Sequence, residues 1–159
     1  MQSDKFTALV RNAIGAAQSA ALAANHQKLT AEHVLAALLK DDNMTVKMLL
    51  AKAGADSASL SALLKAALDK FPQVTGSGAG QLQLDADLAR IFAAVEAEAK
   101  ARHDQFIAVD LLLLAMTKST GSVGKILKKA GVEPAPLGAA IDEMRKGRTA
   151  DSDAAEDSY

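Results

Sequence analysis

Several groups of residues in this chain have types that could do chemistry, and their spacing decides against each. Gly121-Ser122-Val123-Gly124-Lys125-Ile126 comes nearest to a phosphate-binding loop. Ser119 stands where such a loop has its first glycine, and Ile126 replaces the Ser or Thr whose hydroxyl would reach magnesium. The glycines of Gly76-Ser77-Gly78-Ala79-Gly80 follow no strand, as a dinucleotide fingerprint requires. His26, His33 and His103 are too dispersed for a zinc pattern and read as surface or helix-end histidines. No serine, histidine and carboxylate stand in a nucleophile-elbow context. Cysteine is absent, so neither thiolate metal sites nor disulfides can form. Lys40, Lys52, Lys128, Lys129, Arg145 and Lys146 fall at expected helix C-termini, where cations complement the macrodipole. Glu96, Glu98, Asp142 and Glu143 balance them, and the net charge is −1, so they read as a solvated surface, not a nucleic-acid footprint. The chain reads as non-catalytic.

The elements that would carry any site are helices. Half of the 159 residues are hydrophobic but only 3% are aromatic, and alanine with leucine supplies most of the rest. That is the composition of closely packed helices and not of strands. Phe6, Leu9, Val10, Ala13, Ile14 and Ala17 follow a 3.6-residue period, with Asp4 placed to cap the helix they define. Thr30 caps a second helix from Ala31 to Lys40, and Asp41-Asp42-Asn43 breaks it. A third, from about 45 to 53, ends at Gly54, which can turn left-handed past a C-cap. Asp56 or Ser57 opens a fourth carrying Leu60, Leu63, Leu64, Ala67 and Leu68.

The chain then says this again. Glu32 is matched by Asp110, and Phe6, Val10, Ala13, Ile14 and Ala17 by Leu84, Leu88, Ile91, Phe92 and Val95, all 78 residues on. Gly54 matches Gly131 at 77, one residue being lost between the two stretches. Self-similarity at a fixed period marks a duplicated supersecondary unit. We expect an all-α fold of about eight helices in two pseudo-twofold four-helix repeats. The first runs over about 1–71, the glycine-rich connection over 72–82 and the second over 83–146. In the second copy Asp85 caps a long helix and another covers 109–118. A short one from Ser122 stops at Gly131, and Pro134 opens the last. Replacing Leu35 or Leu113 with Ala should then cost about 2–5 kcal/mol. Residues 147–159 have too little apolar content to fold alone and read as a linker.

Leu111-Leu112-Leu113-Leu114 leaves two readings open. Four consecutive leucines wrap a helix, so it is either sandwiched in the core or partly lines an apolar groove for a partner chain. No apolar run reaches the ~20 residues a membrane-spanning helix needs, and no secretory signal is visible, so a cytoplasmic location is expected.

Phe6-Thr7, Ala17-Gln18-Ser19, Thr30-Ala31-Glu32-His33-Val34-Leu35 and Leu49-Leu50 with Ala53-Gly54 together resemble the Clp amino-terminal domain. Phe71-Pro72-Gln73-Val74-Thr75-Gly76-Ser77-Gly78 and His103-Asp104-Gln105-Phe106-Ile107 are similar to the ClpB-type disaggregases in particular. The ending Met144-Arg145-Lys146-Gly147-Arg148, with Ala155-Glu156-Asp157-Ser158-Tyr159, resembles the approach to that family's first ATPase module. The resemblance implies a domain that binds exposed apolar segments of unfolded or aggregated proteins. The whole chaperone would be an ATP- and magnesium-dependent hexamer working with the Hsp70 system. This stretch would be a monomer without a cofactor of its own, and would bind neither nucleic acid nor membrane. Thr7, Asp104 and Asp110 match polar positions tied to client handling, and Phe92 and Leu111 match apolar positions of the groove. Asp110 stands where glutamate is common, and His103 where glycine is common before the acid. Two alternatives are a docking site for folded adaptors, as in the related ClpA and ClpC chaperones, and a structural spacer regulating access to the ring.

Overall fold

A computed structural model describes residues 3–40, 44–75 and 81–159. The break expected at Asp41-Asp42-Asn43 and the glycines of 76–80 lie outside the described residues. Eight helices are described: α1 (Ala8–Ala23), α2 (Ala31–Lys40), α3 (Met44–Lys52), α4 (Ser57–Asp69), α5 (Ala86–Ala101), α6 (Val109–Thr117), α7 (Ser122–Lys129) and α8 (Pro134–Arg145). Two two-residue strands, β1 (Lys28–Leu29) and β2 (Gln83–Leu84), pair in parallel.

The duplication read from the sequence is a physical pseudo-twofold. α5 begins and ends 78 residues after α1. Leu29 pairs with Leu84, and their repeat mates Ile107 and Phe6 form the other parallel bridge. α1 packs on α2 as α5 does on α6, and the halves interlock, α4 against α7 and α3 against α8. Gly54 and Gly131 meet near the axis with φ of 89° and 91°, and a Cβ on Gly131 would lie 3.1 Å from the Gly54 carbonyl oxygen. Glycine is needed there for both its conformation and its lack of a side chain. The Asp56 N–H donates to the Ala130 carbonyl (2.9 Å) and ties the two copies across that point.

The caps follow local chemistry, with one correction. Thr30, Asp56 and Asp85 accept from His33 N, Ser59 N and Asp87 N, and Pro134 opens α8. Asp4 does not cap α1. It lies in a 3-10 turn (Ser3–Lys5), and Thr7 is the cap, its hydroxyl oxygen accepting from Val10 N. The cause is the bridge at Phe6: Ile107 N donates to Lys5 O (2.7 Å) and Thr7 N to Ile107 O (3.1 Å), which holds the chain extended up to Thr7. Leu111, Leu112, Leu113 and Leu114 are all buried, so the sandwiched reading of α6 holds.

Candidate functional site

The glycines that imitate a phosphate loop serve packing. A Cβ on Gly124 would collide with the Ser119 carbonyl, and one on Gly121 with the Asp87 carboxylate. That carboxylate accepts from the Ser119 hydroxyl (3.0 Å), so an anion brought to this turn would meet a negative charge. His103 is exposed just past the end of α5, as expected, and His33 does lie in the first turn of α2, but His26 and His33 are not surface residues. His26 and His33 are buried, because His33 Nδ1 accepts from Thr30 N (3.1 Å) and His33 Nε2 lies 2.8 Å from His26 Nδ1. Both rings pack on Phe71. No metal-holding cluster occurs among the described residues.

Of the five residues singled out in the sequence, Asp104 and Asp110 come together around Arg145, and Thr7 is tied to the start of the same helix α6 through Glu156. The last turn of α8 aims that guanidinium at the first turn of α6. Nε and Nη2 donate to Asp110 Oδ2 and Oδ1 (2.6 and 2.9 Å), and Nη1 to Asp104 Oδ1 (2.9 Å). Arg145 is only 3% exposed and both carboxylates are fully buried, which corrects its reading as a solvated cation. Burial opposes its charge, but the hydrogen bonds it donates to Asp110 and Asp104 outweigh that and raise its pKa. Thr7, Asp110 and Leu111 are fully buried. Phe92, also buried, packs its ring on Phe6 at 5.5 Å.

Residues 147–159 cover this cluster. Glu156 Oε2 accepts from the Thr7 hydroxyl (2.7 Å) and from Val109 N (2.9 Å) at the start of α6. Burial raises the Glu156 pKa against those bonds, and nearby Asp110 adds to the rise. The Tyr159 ring lies over Arg145, 5.1 Å from ring centre to guanidinium carbon, and burial raises its phenol as well. Sequence reasoning missed Arg145, Glu156 and Tyr159 as one unit, since their partners are tens of residues away.

An apolar hollow lies elsewhere, between α2 and α4. Ala36, Leu39, Leu64 and Leu68 line about 400 Å³, with Lys40 and Lys65 among the polar residues around it. Leu39 and Ser61 also border a second hollow of about 310 Å³ that reaches Leu50 and Leu60. Met44 and Met48 of α3 are exposed, at 69% and 38%. In the second repeat Leu114 stands at the place of Ala36 and the ion-paired Arg145 at that of Leu68, two of the residues that line this hollow.

The two interlocked four-helix repeats define an all-helical, internally duplicated class of domain. The family model for the Clp repeat N-terminal domain matches residues 5–145, and the chain belongs to that family. Over its whole length it is 43% identical to a chaperone protein ClpB of Rhizobium meliloti and 42% identical to one of Rhodopseudomonas palustris. It spans 18% of the length of each. Its fold is that of the Hsp104 N-terminal domain from Candida albicans, with a TM-score of 0.83 at 21% identity over 96% of this chain and 99% of the other.

Proposed function

We propose that this chain is the substrate-recognition domain of a ClpB-type disaggregase and holds exposed apolar segments of unfolded or aggregated proteins. The observation that carries the reading is the hollow between α2 and α4, with an adjoining hollow bordered by Lys47, Leu50 and Ala51 of α3, the helix that also exposes Met44 and Met48. Methionine side chains adapt to irregular apolar partners. Burying about 200 Å² of apolar surface yields ~5 kcal/mol, and the costs of association take most of it. The contact is therefore weak, exchanges quickly and tolerates many sequences. In this reading the chain itself performs no catalysis and acts as a monomer. ATP, magnesium, the ring of six and the Hsp70 partnership belong to the whole chaperone, in the cytoplasm.

A second reading places the client at Thr7, Phe92, Asp104, Asp110 and Leu111. What favours it is that a peptide segment, the chain's own tail, already contacts Thr7 and Asp104. A residue-resolved titration with an unfolded polypeptide separates the two. Shifts at Leu39, Met48, Leu64 and Leu68 are expected; shifts confined to Thr7, Asp110 and Leu111 would favour the second. Tight binding of a folded adaptor, with no response to scrambled apolar peptides, would contradict both.

A further inference from the structure

The two hollows of the first repeat form one groove, because Leu39 and Ser61 belong to the lining of both. On α4 the first hollow is marked by Leu64 and Leu68 and the second by Ser57 and Leu60. Those pairs lie about two helical turns, or about 11 Å, apart. Apolar side chains make most of the lining: Leu50, Leu60 and Leu64 are buried, and Leu39 and Leu68 are half-buried. With about 400 and 310 Å³, each hollow has room for one large apolar side chain.

The charge around this groove is one-sided. Lys40 and Lys65 line the first hollow and Lys47 the second, and among the described residues Asp69 is the one carboxylate in either lining. Asp69 lies 3.0 Å from Lys65 in an exposed pair one turn apart. Such a pair contributes little and exchanges readily with another carboxylate. Lys40 and Lys47 make no ion pair among the described residues. The whole chain has a net charge of −1, so this excess of cations is local. A carboxylate carried on a chain seated in the groove would meet these ammonium groups beside apolar walls, where screening is weaker than in open water.

We infer that the groove selects, among apolar client segments, those that carry carboxylates beside their anchors. The matching segment has two large apolar side chains about 11 Å apart, which is about seven residues in a helix or about three in an extended chain, with Asp or Glu flanking them. The inference rests on the reading of the α2–α4 hollow as the client site and adds a sign of charge to it.

The test uses two synthetic peptides that share every apolar residue and carry either glutamate or lysine at the positions between. At low ionic strength the glutamate peptide should bind the unsubstituted chain at least tenfold more tightly and shift the amides of Leu39, Lys47 and Leu64. That advantage should shrink towards none at about 1 M salt. Lys47→Glu with Lys65→Glu should abolish it; both side chains are exposed, and neither residue adjoins Asp41-Asp42 in sequence. A control of equal net charge, Lys100→Glu with Lys125→Glu, lies outside both linings and should keep the preference. Equal or tighter binding of the lysine peptide, a preference that survives the first variant, or one lost equally in the control would overturn the inference and leave the client reading intact. If neither peptide shifts Leu39 or Leu64, both fall.

Discussion

At the scale of single residues, His33 is the most informative titratable group. The N–H of Thr30 occupies its Nδ1, so its own proton lies on Nε2 and is given to His26 Nδ1. Burial, and then the neighbouring His26, lower its pKa to about 4. The folded protein thus favours the neutral ring. The stability this provides is whole above the usual value near 6.5 and is lost as pH falls towards about 4, on the order of 3 kcal/mol in all. Denaturation midpoints between pH 7 and 4.5 should fall less steeply for His33→Gln, which keeps an acceptor in reach of Thr30 N. An unchanged slope would remove His33 from the acid sensitivity. The sequence did not show this pair as buried, because a histidine at a helix start looks alike whether solvated or enclosed. Only the ring of Phe71, brought back from the far end of α4, closes over it.

At the scale of elements, local chemistry was the most legible part. Thr30, Asp56, Asp85 and Pro134 begin helices where their side chains dictate. Asp4 does not, because an inter-repeat bridge at Phe6 overrides a good local cap. The four leucines of α6 were undecidable from pattern alone, since their burial depends on neighbours on every side, among them α5, α7, α8 and α3. Leu35→Ala and Leu113→Ala, both at fully buried positions, should each cost about 2–5 kcal/mol in chemical denaturation. Loss below 1 kcal/mol at both would contradict the packing. The docking of residues 147–159 was not legible, because two alanines and a carboxylate give no hydrophobic pattern until Ala108 and Val109 are set beneath them.

At the scale of the whole molecule, duplication makes the second repeat a control for the first. The two halves share helix order, bridges and glycine contacts, yet differ where a site would lie. One has Ala36 in the lining of its hollow, and the other has the buried Leu114 at that place and the ion-paired Arg145 at the place of Leu68. The family and its fold were readable from the repeated residues, whereas the hollow became visible only when the copies were compared in three dimensions. That comparison also supplies the variant that tests the recognition reading most directly: Ala36→Leu, which puts the second repeat's residue into the first. The measurement is the affinity of an unfolded polypeptide for the chain with and without this change, at matched stability. The account predicts at least a tenfold weakening. Equal affinity in the two proteins would contradict it.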